Sequence, residues 1–302
     1  MVTAEFSVQV CSGSREEALV LLAAFLPKAG TSYTRNRNFD LGAGQHKHVS
    51  QLSAYIKRRI ITEEYVLKKV LSAHSLNEAG KFIDEIFWRT YFKGWLESRP
   101  HIWMQYCADV HHLTHELQTQ SGLRDRWAAA CLGETGIDCF DAWAKELAET
   151  GYLHNHARMW FASIWVYTLQ LPWQLGADFF LRHLLDGDAA SNTLSWRWVV
   201  GLHSVGKTYL ARAENIQRFT NGRFAPKGLA QVAPPLNDTA STMAPKIIDP
   251  PNPYLEGRKT GLLLHSDDLN TAHLTQYSDC IASATYRPVD AGTMLVSSPK
   301  LL

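Results

Sequence analysis

The chain has 302 residues, 46% hydrophobic and 20% charged, with a formal net charge of +1. That length can bury a large core and allows one or two domains, and a charge near zero leaves room for nucleic-acid binding through a local patch. Five scattered cysteines (Cys11, Cys107, Cys131, Cys139, Cys280) with no CxxC spacing argue against a disulfide framework, a zinc site or an iron–sulfur cluster, and suit a reducing cytoplasm.

In chain order, Glu16–Phe25 reads as a helix that stops at Pro27. Tyr33–His48 follows as a Gly/Asn/His-rich loop, inside a basic stretch (Thr31–Lys69) that reads on pattern alone as the solvated face of a basic helix. From Val49 to Phe92 apolar residues recur every three or four positions, as helices require. His111 and His115 could hold a metal at i, i+4, but the HExxH pattern fails because Thr119 stands where the second histidine would be. A solvated histidine face is the expectation, and no metal.

Trp127–Trp165 continues the helical pattern with a break at Gly133–Gly136 and a plausible N-cap at Asp141. The longest apolar run, Met159–Trp173, is too short and too interrupted to span a bilayer, so no membrane association and a soluble, cytoplasmic protein are expected. Trp196–Val200 could pass as a strand before Gly201–Thr208, a literal GxxxxGK[ST] match. Yet no apolar run ending in a magnesium-binding aspartate is visible, and a loop or helix junction is the preferred reading. Asn221-Gly222 is a turn, and residues 233–257 carry six prolines, so 1–232 is expected as the folded domain and 233–302 as a Pro-rich linker with a C-terminal extension of unknown role. Strand signals are poor and there is no repeat. The body is expected to be all-α.

Ten tryptophans exceed what a generic core needs. Several sit in ordered blocks: VSQLSAYI (Val49–Ile56), FIDEIFWR (Phe82–Arg89), Gly133–Met159 with GETG and HNHARM, and PWQLGADFFLRHLLDGDAASNTLSWRW (Pro172–Trp198). In this order and spacing the chain resembles the flavin-binding helical domain of the DNA photolyase and cryptochrome family, from about Tyr33 to Trp198. The family's N-terminal α/β antenna domain has no counterpart in the pattern, so no antenna chromophore is expected in this chain.

The resemblance implies an all-α domain holding FAD folded back on itself, with reduced FADH⁻ as the active form. It implies that Tyr33, Ser50 and Ser53 bond the phosphates, with Val49 replacing the usual threonine, and that Arg89 joins the cofactor set. Arg158 would lie over the flavin and pair with Asp186, Asp186 and Asp188 would meet the ribose and flavin edge, and Asn192 would stand beside flavin N5. An amide there matches repairing members rather than plant and insect cryptochromes. Glu85, Trp88 and Trp198 would contact and embrace a flipped-out dimer. Asn155 and Met159 match cyclobutane-dimer enzymes, where (6-4) enzymes carry histidines; His154 and His156 fall at neighbouring offsets. Trp173 and Trp196 match two members of an electron-transfer chain whose outer member has no clear counterpart, Trp127 being off register. Beyond Trp198, residues 201–224 depart from the common family block.

The implied function is light-driven, FAD-dependent splitting of cyclobutane pyrimidine dimers in DNA, single-stranded DNA being a plausible preference. The alternatives are a cryptochrome-like FAD photoreceptor without repair and, more remotely, a P-loop nucleotide hydrolase.

Overall fold

The computed structural model of the protein describes residues 13–238, 243–248, 260–265, 267–269 and 280–286. Helices follow one another from Arg15 to Phe219: α1 (Arg15–Phe25) with a 3-10 turn at Leu26–Lys28, α2 (Thr31–Asn36), α3 (Ser53–Lys57), α4 (Glu63–Ala73), α5 (Leu76–Glu97), α6 (Pro100–Thr119) and α7 (Ser121–Leu132). Then come α8 (Asp138–Thr150), α9 (Asn155–Ser163) running into a π-helical turn at Ile164–Thr168, α10 (Trp173–His183), α11 (Ala189–Val199) and α12 (Ala213–Phe219). No helix among the described residues is long and apolar enough to cross a membrane.

Local chemistry sets the ends. Thr62, Ser75 and Asp188 each accept a backbone N–H at the start of α4, α5 and α11, and Ser75 with Glu78 closes a reciprocal capping box. Gly133 and Gly151 end α7 and α8 at φ of 67° and 70°, a conformation that costs glycine little. The buried positions of α8 (Cys139, Phe140, Trp143, Ala144, Leu147) follow the helical period and pack with α9, α10 and α11 into the larger core. A second core joins α1–α5 around Phe25, Tyr33, Leu52 and Phe82. The site described below lies where the two cores meet.

The structure revises four local readings. Tyr33 begins no loop, because α2 already covers it and the irregular stretch starts at Arg37. Asp141 is not an N-cap but lies inside α8, and its carboxylate turns back to accept from Thr135 N (2.9 Å), Thr135 Oγ1 (2.6 Å) and Gly136 N (2.9 Å). The segment at Trp196–Val200 is the end of α11, so no strand precedes the GxxxxGK[ST] match and the P-loop geometry is lost. Finally, the helical body is joined by two short parallel strands, β1 (Thr260–His265) and β2 (Cys280–Tyr286).

The chain past position 232 keeps touching the helical body. Leu236 N donates to Val200 O at 3.0 Å, Arg197 pairs with Asp238 at 2.5 Å, and Lys246 N donates to Ser98 O at 2.6 Å. Farther on, Asp267 pairs with Lys57 and Arg58, and Asp268 with Arg59. Cys107, Cys131 and Cys139 are free thiols.

Candidate active site

Between α5, α9, α11 and the loop before α3 lies a cavity of about 620 Å³. That is the size of small-molecule and cofactor sites, roughly 300–1,000 Å³. Thirteen of the fifteen residues singled out in the sequence are polar or aromatic side chains that line it together with Met159; Trp173 alone does not.

On one wall, α9 presents Arg158, whose Nη2 donates to both oxygens of Asp186 at 3.1 and 3.0 Å while Nε donates to Leu153 O at 2.8 Å. Burial by itself would raise the Asp186 carboxyl pKa. The Arg158 guanidinium, the Ser53 hydroxyl and Arg89 reverse that and hold it below the usual carboxylate range. Asp188 caps α11 by accepting from Ser191 N at 2.9 Å, with Lys93 at 3.6 Å and Arg89 at 3.9 Å. Burial again opposes ionisation there, and Arg89, the Ser191 N–H, Lys93 and Lys57 prevail. Both acids therefore stay charged well below neutral pH.

Helical spacing places Asn192 and Trp196 four and eight residues after Asp188 on the same face of α11. Asn192 Nδ2 donates to Ala177 O at 2.7 Å, which orients the amide and leaves Oδ1 as an acceptor. Trp196 is buried edge-on to Phe180 and Trp165, at centroid distances of 5.1 and 6.2 Å. Opposite, Ser50 accepts from Leu52 N at 3.3 Å, and Gln51 turns the loop at φ 54°. Tyr33 is wedged between Phe25 and Phe82; burial, reinforced by Glu85, raises its phenol pKa, so the hydroxyl remains a donor.

At the mouth the chemistry changes. Glu85 is held by Arg37 at 2.5 Å, and the two are about one-third and one-quarter exposed. Trp88 and Trp198 are 49% and 36% exposed, unusual for indoles in a protein with this much core. Trp88 packs on Tyr91 and Phe92, and Trp198 stacks on Tyr209 at 5.8 Å. Asn155 and Met159, four apart on α9, complete this side.

Trp173 lies away from the cavity, stacked on Tyr106 at 5.6 Å, which in turn meets Trp103 at 5.2 Å. The lining residues that escaped the sequence reading include Arg37, Tyr152, Phe180 and His203. Arg37 could have been found as the i+4 neighbour of Tyr33 on a basic helix; His203 had no signal beyond the misleading P-loop match. Burial, with Arg197 and Arg99, lowers the His203 pKa, so its ring is neutral at physiological pH.

The donor set suits a phosphate- and hydroxyl-rich dinucleotide such as FAD. Ser191 Oγ, Arg89 Nε and Nη2, Trp196 Nε1 and His203 Nδ1 are buried without a hydrogen-bond partner in residues that line the cavity. Buried polar atoms of this kind call for a ligand.

Residues 82–228 match the family model for the FAD binding domain of DNA photolyase. Among curated relatives, a deoxyribodipyrimidine photo-lyase of Alkalihalophilus pseudofirmus is 29% identical over 62% of this chain and 38% of its own length. A mitochondrial deoxyribodipyrimidine photo-lyase of Saccharomyces cerevisiae is 29% identical over 61% of this chain and 33% of its own. The chain thus spans between a third and two fifths of these relatives. A bacterial class III photolyase from Agrobacterium tumefaciens superposes with a TM-score of 0.56 at 25% identity, covering 69% of this chain and 43% of that one. A Synechocystis cryptochrome shares the fold at 19% identity with a TM-score of 0.58, covering 70% and 44%. The motif order, the helical fold and the cavity agree with this match, which identifies residues 82–228 with the FAD-binding domain of the photolyase and cryptochrome family.

Proposed function

We propose that the protein binds FAD in this cavity and repairs cyclobutane pyrimidine dimers in DNA when illuminated. The observation that carries the reading is the two-zone site: a buried, charge-paired interior, and a mouth with two half-exposed indoles beside Glu85. What FAD supplies when bound is light-driven one-electron donation from its reduced form, the chemistry that opens a cyclobutane ring.

The chain's own part is binding, orientation and exclusion of water. Arg158, fixed by Asp186, presents a planar cation to the ring system, and the ionised Asp186 and Asp188 accept from sugar O–H and ring N–H groups. Asn192 offers a neutral acceptor, so it adds no charge next to an anionic ring. Tyr33, Ser50 and Arg89 supply donors for phosphates. At the mouth, Trp88 and Trp198 give a flipped-out base pair faces to stack on, worth roughly 1–3 kcal/mol per base. Arg37 orients Glu85 toward the bases, and Asn155 and Met159 shape the remaining edge. Residues 1–232 would form the catalytic domain and 233–302 an extension.

The test is a repair assay with reduced, flavin-loaded protein on dimer-bearing oligo-dT, single- and double-stranded, under blue light. Restored thymine absorbance only in the light supports repair, and faster restoration on single strands supports that preference. Flavin binding with dimers left intact would replace repair by the photoreceptor reading.

A further inference from the structure

We propose that Asp40 and His46, with Glu146 orienting the imidazole from behind, form a divalent metal site of the zinc class, separate from the cavity. The three are buried and bring one ligand atom each within 4.8 Å of one another. His46 Nε2 hydrogen-bonds Glu146 Oε1 at 2.8 Å. A carboxylate only accepts, so Nε2 carries a proton, and Nδ1 is the ring nitrogen left to meet a ligand. Nδ1 is buried without a hydrogen-bond partner on a side chain that is only 2% exposed, and the atom it faces is another acceptor, Asp40 Oδ1 at 3.9 Å.

An ion between Nδ1 and Oδ1 would satisfy both buried atoms at once. The separation exceeds a hydrogen bond, about 2.7–3.2 Å, yet suits two ligands each roughly 2.0–2.2 Å from one ion. A carboxylate behind the imidazole, as Glu146 is here, is the usual device that fixes the tautomer of a metal-bound histidine. Asp40 Oδ2 is already taken by Trp143 Nε1 and Arg223, both at 2.9 Å, and Gly42 N donates to Oδ1 at 3.0 Å. One lone pair of Oδ1 therefore stays available. His154 stacks on His46 at 5.6 Å and its Nδ1 accepts from His156 N at 3.2 Å, so it packs against the cluster without joining it.

The site has a structural consequence. Tyr152 packs on His46 at 4.9 Å and lines the cavity, and Asp40 and His46 belong to the loop that leads from Arg37 to Ser50. An ion here would tie that loop to α8. Sequence spacing concealed the cluster, because His46 and Glu146 stand 100 residues apart.

The experiment loads chelator-stripped full-length protein with Zn²⁺, exchanges the buffer, and counts metal by mass spectrometry. One equivalent is expected in the wild type and in His111→Ala/His115→Ala, which removes the exposed pair on α6. Asp40→Asn should lose it. Should Asp40→Asn fail to fold, zinc-edge anomalous diffraction from wild-type crystals grown with Zn²⁺ decides, with a peak expected between His46 and Asp40. No retained equivalent, loss of zinc in the His111/His115 double variant, zinc retained by a folded Asp40→Asn, or no peak at this position would overturn the assignment.

Discussion

Gly176 in α10 offers a sharp test of how α10 and α11 shape the cavity. A Cβ at this position would lie 2.3 Å from Trp196 Cη2, 2.6 Å from Trp196 Cζ3 and 3.0 Å from Trp165 Cδ2. Two effects compete in Gly176→Ala. Alanine gains roughly 0.8–1 kcal/mol over glycine in a helix interior. Overpacking costs about 1–3 kcal/mol, and the upper part of that range applies because the obstacles are rigid rings. Trp196 is 2% exposed and held edge-on by Trp165 and Phe180, so its indole can yield only toward the cavity that it lines. The net expectation is a loss of about 1–2 kcal/mol, and at roughly 2–4 °C per kcal/mol the Tm should fall by about 2–8 °C. Gly94→Ala in α5 is the control: its Cβ would meet nothing within 4 Å, so it should gain stability from propensity alone. Circular dichroism melts of the two variants beside the wild type provide the assay, with flavin release followed in parallel, because Trp196 lines the cavity. A Gly176→Ala protein that melts at or above the wild type would refute the reasoning.

Three further outcomes are expected. Asp186→Asn leaves Arg158 without its carboxylate partner; breaking a buried pair costs about 3–5 kcal/mol, and the partial exposure of Arg158 favours the lower end, so urea unfolding should register about 3 kcal/mol, and a change below about 1 would dismiss the pair as structural glue. Because the folded-state pKa values of Asp186 and Asp188 lie below the ordinary carboxylate value of about 3.9, their stabilisation is present above that pH and is lost as pH falls through the folded values. Acid unfolding of Asp186→Asn should accordingly be shallower below about pH 4 than that of the wild type, and identical slopes would contradict the linkage. Trp88→Ala and Trp198→Ala should each weaken binding of a dimer-bearing oligonucleotide by about 5- to 150-fold, following roughly 1–3 kcal/mol per stacked base, while leaving flavin content unchanged; anisotropy titrations showing unaltered affinity would remove the indoles from the DNA-binding surface.

Much of the site was implied by the family resemblance, and its residues stand together because several are carried by single helices. Asp188, Asn192 and Trp196 share a face of α11, and Asn155 and Met159 share one of α9, for the same reason: the backbone hydrogen-bond period sets which side chains stand together. Even the error at Asp141 was local, since a carboxylate that caps the preceding turn from inside the helix has the same sequence signature as an N-cap. The false P-loop match failed for a different reason. Its glycines and lysine are in place, but α11 occupies the position where a strand would have to be.

The sequence by itself determined the helical periodicity, which depends on interactions within a few positions, and the ordered blocks, whose resemblance to the family implied the cavity residues. Only the tertiary structure decided the Arg37 partner of Glu85, the neutral His203 at the mouth, the contact between Gly176 and Trp196, and the meeting of Asp40, His46 and Glu146. Those pairs are brought together by packing between elements far apart in the chain, and their burial, which sets charge state and unsatisfied bonding capacity, exists only once the two cores have closed.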